Sequence, residues 1–140
     1  MAETLKLTIL SPERRVAEGI EVKSVTLPGS EGLIQILPGH AAMVGTLLTG
    51  IFQYEAASGD QDQGAISTGF FEVRGDEIAV MAETLELQAE VDLVRAKSAQ
   101  ARAESALQNP ELDDSKFRKY QLKLQRALIR QQLAGKTFQS

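Results

Sequence analysis

The 140-residue sequence contains no cysteine, no tryptophan and one histidine, and aromatic residues make up only 5% of it. Without cysteine there is no disulfide framework, no thiolate zinc site and no thiol nucleophile, and a single histidine cannot build a multi-histidine metal centre. So few aromatics leave little on which nucleobases could stack. No apolar run approaches the ~20 residues of a membrane-spanning helix. A content of 43% hydrophobic against 24% charged residues is nevertheless too apolar for a disordered chain, so a soluble globular protein of one medium or two small domains is expected. The segment from Met1 to Leu7 has neither the basic-then-apolar order of a secretory signal nor the Arg-rich, acid-poor character of a transit peptide. The chain is expected to stay where it is made.

Charge is divided unevenly along the sequence. Residues 1–90 carry 5 Lys and Arg against 14 Asp and Glu, a net of -9, whereas residues 91–140 carry 10 against 5, a net of +5. This asymmetry points to two units with different partners, the second meeting something anionic. Ten of the 11 glycines and three of the four prolines also fall before residue 90. Turns are therefore concentrated in the first unit.

That first unit reads as β structure. Leu5, Leu7 and Ile9 alternate with Lys6 and Thr8 until Ser11-Pro12, and Val22 to Leu27 is rich in β-branched residues and stops at Pro28-Gly29. Further runs follow at Leu33 to Leu37, Leu47 to Ala56, Ala65 to Arg74 and Ile78 to Thr84, with Arg74-Gly75-Asp76 as a tight hairpin. Short strands at this spacing predict a sandwich or barrel. After Glu90-Val91-Asp92 the period changes: Ala96, Ala99, Ala103 and Ala106 recur at spacings of 3, 4 and 3 before Asn109-Pro110 breaks the helix. Asp113, Asp114 or Ser115 caps a second helix whose face carries Phe117, Tyr120, Leu124, Ala127 and Leu128, ending at Gly135. Two helices joined by a short turn predict an antiparallel αα-hairpin, and an alanine face gives it close packing but little buried area.

Catalytic constellations are missing. His40, after Leu37-Pro38-Gly39, has no acid or nucleophile near it in sequence to make it a general base, and Ser67-Thr68-Gly69 lacks the elbow context of a hydrolase serine. A small hydrolase is disfavoured on these grounds. The arginines of the hairpin are more informative. Arg95 and Arg102 are seven apart on the first helix, and Arg126 and Arg130 are four apart on the second, so that each pair shares a helix face. Guanidinium groups suit phosphate oxygens, and Asp92 is able to accept from a base amino group or a ribose hydroxyl. The plainer alternative is that the arginines are solvated and paired with acids such as Glu104, and that Asp92 only caps its helix. A nucleic-acid-binding module is a further alternative for the basic hairpin, opposed by the acidic first unit and the scarcity of aromatics.

On Glu31-Gly32, the segment Ile36-Leu37-Pro38-Gly39-His40-Ala41, the strand Thr68-Gly69-Phe70-Phe71-Glu72-Val73, the strand end Val80-Met81-Ala82-Glu83 and the helix start Val91-Asp92-Leu93-Val94-Arg95-Ala96, the sequence resembles the ε subunits of bacterial and chloroplast F-type ATP synthases, equivalent to the mitochondrial δ subunit. The resemblance covers nearly the whole chain. It implies an α+β architecture: a flattened β-sandwich of about ten strands over residues 1–88, followed by the helical hairpin over residues 89–140. It further implies a non-catalytic, peripheral central-stalk subunit with no catalytic or metal-ligating residues, on the cytoplasmic face of the bacterial plasma membrane or, alternatively, the stromal side of a thylakoid. In such proteins the sandwich joins γ to the c-ring, and the hairpin either folds down or extends toward the catalytic α/β hexamer, where it opposes ATP hydrolysis. No cofactor is required for coupling. In some members the folded hairpin binds regulatory ATP, and whether Mg accompanies it here stays open.

By that resemblance Glu86, Val91, Asp92, Arg95, Ala96, Arg102, Arg126 and Arg130 are the ATP-binding positions, and Glu31, Leu33 and His40 belong to the interface with γ and the c-ring. The sequence departs from the family pattern at Gln35 and Thr68, where glycine is usual, and at Ala42, where proline is usual. Leu33 stands where some members carry an acid, which removes one polar contact to the ring.

Overall fold

A computed structural model describes residues 4–135, so the ends of the two expected domains, 1–3 and 136–140, lie outside the described residues. Among the described residues nine strands precede two helices: β1 Leu5–Leu10, β2 Arg15–Gly29, β3 Gly32–Ile36, β4 Met43–Leu47, β5 Gly50–Ala56, β6 Gln61–Ile66, β7 Gly69–Arg74, β8 Glu77–Ala82 and β9 Leu85–Leu87, then α1 Leu93–Leu107 and α2 Asp114–Gly135. The chain divides into two compact units at Leu87/Gln88. No helix among the described residues is long and apolar enough to cross a membrane.

The first unit is the expected β-sandwich. One layer runs β1-β8-β7-β4, with β1 and β8 parallel and the other pairs antiparallel, and the second contains β3, β2, β5, β6 and β9. The long β2 serves both layers, pairing β1 through its first half and β5 and β3 through its second. Three register shifts let it do so, one of them between Ile9↔Ala17 and Leu10↔Arg15. Between Leu7↔Ile20 and Ile9↔Ala17 the strand takes an extra residue at Gly19, which lies at φ 64°, and between Val22↔Ala56 and Ser24↔Glu55 it takes another. The second bulge explains why Val22 and Val25, three apart, are both fully buried.

Alternation puts Leu5, Leu7, Ile9, Leu27, Phe52, Phe71, Ile78 and Val80 into one core. Glycine opposite an aromatic ring recurs inside it. Gly45 faces Phe71 and Gly64 faces Phe52, and in each case an added Cβ would stand 2.6–2.7 Å from the ring carbons. These glycines are spaces that the rings fill.

Several boundaries differ from the sequence reading. β2 begins at Arg15 and continues through Pro28 to Gly29 rather than stopping before them. The run Leu47 to Ala56 is two strands separated by a corner at Leu48-Thr49, and Ala65 to Arg74 is likewise split at Ser67-Thr68. Ser67 is buried, and its Oγ accepts from the Thr84 N–H at 2.8 Å, which gives this serine a structural role. The expected hairpin at Gly75-Asp76 is present. Arg74 pairs Glu77, and only Gly75 of the two loop residues has positive φ, at 59°, the pattern of a type II′ turn.

The second unit is the αα-hairpin. A 3₁₀ turn at Gln88–Glu90 leads to Asp92, whose Oδ1 accepts from the Arg95 N–H at 3.2 Å and caps α1. Asp113 does the same for α2 by accepting from the Lys116 N–H at 2.8 Å. Ala96 and Ala103 are buried and Ala99 and Ala106 half-buried, as the spacing predicts. On α2 the buried residues are Ala127 and Leu133, with Tyr120 and Leu124 half-buried, while Phe117 and Leu128 are 43% and 45% exposed. The narrow alanine face accounts for this correction. Leu128 is turned about 100° from Ala127, and Phe117 sits in the first turn of α2, beside the interhelix loop.

Candidate functional site

Each end of the hairpin is organised by short polar contacts. At the start of α1 the Val91 N–H donates to the Gln88 carbonyl at 3.2 Å and the Ala96 N–H to the Asp92 carbonyl at 3.0 Å. This holds Val91, Asp92, Arg95 and Ala96 in one capped turn. Val91 is half-buried, Asp92 and Arg95 are exposed, and Ala96 lies in the packed seam. Asp92 therefore serves as a cap through Oδ1 while its carboxylate stays at the surface.

Side-chain amides make two bonds across this unit. Gln131 Nε2 donates to Gln100 Oε1 at 2.5 Å, and Gln88 Nε2 donates to the Leu133 carbonyl at 3.0 Å. With Gln100 opposite Gln131 and the helices antiparallel, Arg102 lies within one residue of the level of Arg130 and three residues from that of Arg126. At 1.5 Å per residue these offsets are about 1.5 Å and about 4.5 Å along the axis. Arg95 lies seven residues from Arg102, about 10 Å further toward the open end. The structure thus brings three arginines within about 6 Å of one another along the axis and leaves the fourth beside the Asp92 cap. Arg126 and Arg130 are half-buried, whereas Arg95 and Arg102 are exposed. Glu86 belongs to the other unit, where it is half-buried on β9 and pairs with Ala65 of β6.

The sandwich residues singled out in the sequence fall into two loops. Leu37 to His40 is a type II turn, with Pro38 and Gly39 as its central residues, Gly39 at φ 85°, and the His40 N–H donating to the Leu37 carbonyl at 3.1 Å. The half-buried His40 ring holds its Nδ1 2.7 Å from the Ala41 carbonyl, and because a carbonyl only accepts, Nδ1 carries the hydrogen. Glu31 occupies the β2–β3 turn, exposed to solvent, and Leu33 near it is 77% exposed. The Ser30 N–H donates to the Thr46 carbonyl and the Leu48 N–H to that of Pro28, so this turn is fixed to the β4–β5 corner. Leu48, at that corner, is a further exposed apolar residue, at 51%, and nothing in the sequence singles it out. Among the described residues no three His, Asp or Glu side chains are grouped so as to hold a metal ion.

Comparison with known proteins assigns both units. The family model for the ATP synthase delta/epsilon chain β-sandwich domain matches residues 4–88, and that for its long α-helix domain matches residues 89–135. The ATP synthase epsilon chain of Geotalea uraniireducens is 43% identical over 136 residues, 97% of each chain. That of Geobacter sulfurreducens is 40% identical over the same length and share of both chains. Among solved structures, a chain of the Euglena gracilis mitochondrial ATP synthase superposes with a TM-score of 0.81 at 23% identity, covering 91% of this chain and 79% of that one. A chain from the Tetrahymena thermophila central stalk and c-ring structure gives a TM-score of 0.59 at 16% identity, covering 89% and 96%. At these identities the structural likeness concerns the fold.

Proposed function

The chain belongs to the ATP synthase delta/epsilon chain family, and from that premise we propose how its two units divide the work. As an ε subunit it is part of the central stalk of the F-type enzyme, with γ, the c-ring and the α/β hexamer as its partners in ATP synthesis and ion transport. It is a non-catalytic component of that membrane-associated complex and sits on its cytoplasmic side. The sandwich couples γ to the c-ring, with His40 in the loop that meets γ and Glu31 and Leu33 in the turn that meets the ring. The hairpin is the regulatory unit. It exchanges between a folded state and an extended one that opposes hydrolysis, and the balance is set by whatever binds one state better.

ATP is the ligand that favours the folded state in this reading. The observation supporting it is the register of the helices, which gathers Arg102, Arg126 and Arg130 where a polyphosphate needs charge, with Arg95 and the Asp92 carboxylate further along for the base and ribose. A ligand present at 100 times its dissociation constant and bound to one state alone adds about 2.7 kcal/mol to that state. Such a bias dominates a hairpin held by an alanine seam.

Calorimetric titration of the full chain with ATP tests this. Saturable binding is expected, and Arg126→Ala or Arg130→Ala is expected to weaken it by about 1.5–3 kcal/mol, the range for hydrogen bonds to charged groups. Lys116→Ala, an exposed cation near the interhelix turn, is the control. Absence of saturable binding, or an equal loss in the control, would make the arginines a solvated face.

A further inference from the structure

We propose that Gln100 and Gln131 form a register pin: their amide bond fixes the axial setting of α1 against α2, and they act as positioning residues for the arginines of the nucleotide site. The inference rests on the ATP reading for its consequence but not for its mechanics. The α1 side of the seam is a row of small side chains, with Ala96 and Ala103 buried and Ala99 and Ala106 half-buried, and the α2 side carries buried Ala127 with half-buried Tyr120, Leu124 and Gln131. The α1 row is nearly smooth and repeats every turn, so sliding α2 along it by a turn, about 5.4 Å, sets Ala127 and Leu124 against Ala99 or Ala106 in place of Ala103 at small cost. A uniform alanine row on α1 discriminates little among neighbouring registers.

A polar pair in the seam does choose. Gln131 Nε2 meets Gln100 Oε1 at 2.5 Å with both side chains half-buried, and a one-turn slip would leave a shielded amide donor and acceptor without each other. A single polar residue that sets the register of an otherwise apolar helix contact works by the same physics. The pair is also adjacent to the charges it would align. Gln131 follows Arg130 directly, and Gln100 is two residues before Arg102, so the pinned level is also the arginine level. At the neighbouring end the Gln88 amide donates to the Leu133 carbonyl, one of the last four of α2, which helices leave without an internal partner. That bond holds the end of α2, and the Gln100–Gln131 pair sets its position.

The absence of native cysteine makes the test direct. In the full chain, Ala103→Cys with Ala127→Cys reports the native register, and Ala99→Cys or Ala106→Cys with Ala127→Cys reports a one-turn slip, because a disulfide requires Cα atoms within about 7 Å. Without the Gln131→Leu change the first pair should oxidise fastest. With Gln131→Leu the slipped pairs should gain at the expense of the native one while helicity is kept, since leucine preserves bulk and favours helix. Gln100→Leu, the second variant, should do the same, and the double variant Gln100→Glu with Gln131→Lys should restore the native pattern. ATP titrated into the cysteine-free Gln131→Leu chain should bind about 10- to 100-fold more weakly, the equilibrium equivalent of losing one charge-assisted contact, and the Glu–Lys double variant should recover binding. An unchanged crosslinking pattern in both leucine variants would overturn the pin, whatever ATP does. A shifted pattern in a chain whose wild type binds no ATP would uphold the pin and overturn the nucleotide reading on which its consequence rests.

Discussion

The two units of this chain solve the problem of holding together by opposite means. In the sandwich, large side chains such as Phe52, Phe71, Leu27 and Ile78 are sealed from water, and the strands they lie on are paired with partners far away in sequence. In the hairpin the seam is alanine, the caps are local contacts from Asp92 and Asp113, and side-chain amides bridge the helices. Burying a Phe or Leu side chain is worth about 1.5–3 kcal/mol, whereas an alanine contributes roughly a single methyl group. A stalk component that transmits torque needs a unit that does not deform, and a switch needs one that lets go. If the two units divide the work as proposed, the difference in side-chain size would be the physical basis for a rigid coupling element and a movable regulatory element in 140 residues.

The comparison breaks first if the sandwich is not the more strongly built unit. Phe52→Ala removes a fully buried ring that also covers Gly64, and it is expected to cost about 3–5 kcal/mol. Ala103→Gly, at an equally buried seam position, should cost about 1 kcal/mol, mostly from helix propensity. Chemical denaturation followed by Tyr54 fluorescence in a Tyr120→Phe background for the sandwich and by helical circular dichroism for the hairpin should separate the two. Comparable losses in both variants would mean that the hairpin is not the weak unit.

Below these lie the caps. Asp92→Ala and Asp113→Ala each remove an oxygen that accepts from a helix N-terminal N–H, at 3.2 and 2.8 Å, and each should lower hairpin stability by about 1 kcal/mol. Only Asp92→Ala should also weaken ATP binding beyond that loss. If both variants change ATP affinity equally, Asp92 contributes as a cap alone, and recognition resides in the arginines.

How much of this was legible in the sequence follows the same division. The hairpin was readable almost to the residue, because alanine spacing, Asn109-Pro110 and the capping aspartates are local signals that need no partner. What escaped was Gln100 and Gln131, since glutamine at a seam position looks like any polar helix residue until the opposite helix is in place. In the sandwich the period-2 runs were visible but their ends were not. Pro28-Gly29 reads as a stop, yet β2 passes through it, since a proline is tolerated in a strand where no ladder bond needs its missing N–H, and its carbonyl accepts from the Leu48 N–H at 2.9 Å. The Leu48-Thr49 corner carries no turn signal before Gly50. It exists because Gly50 comes so close to Pro28 that an added Cβ would stand 2.7 Å from it, a contact that only the folded topology reveals. The family resemblance supplied the partners and the nucleotide positions, which neither spacing nor charge could have named.

The smallest expected effect concerns pH and separates the units by kind of polar contact. Tyr54 stacks on Phe52 at a centroid distance of 6.4 Å, and its hydroxyl donates to Asp62 Oδ2 at 3.3 Å. Burial above all, and then the Asp62 charge and hydrogen bond, push the phenol up from its ordinary value of 10.0. The folded state therefore favours the neutral phenol. Its contribution is complete below pH 10 and is lost as pH rises from there through the raised folded value, because the unfolded chain releases that proton first. Tyr54→Phe should flatten the fall in sandwich stability above pH 10, while Asp62→Asn should flatten it only in part, since burial is the larger cause and remains. The glutamine bonds of the hairpin have no proton to lose, so Gln131→Leu should leave the alkaline slope of the sandwich unchanged. Denaturant midpoints measured from pH 8 to 11 for the wild type and these three variants would decide it. An unaltered slope in Tyr54→Phe would show that the phenol ionises as easily folded as unfolded and that its contact with Asp62 is a surface hydrogen bond of little consequence.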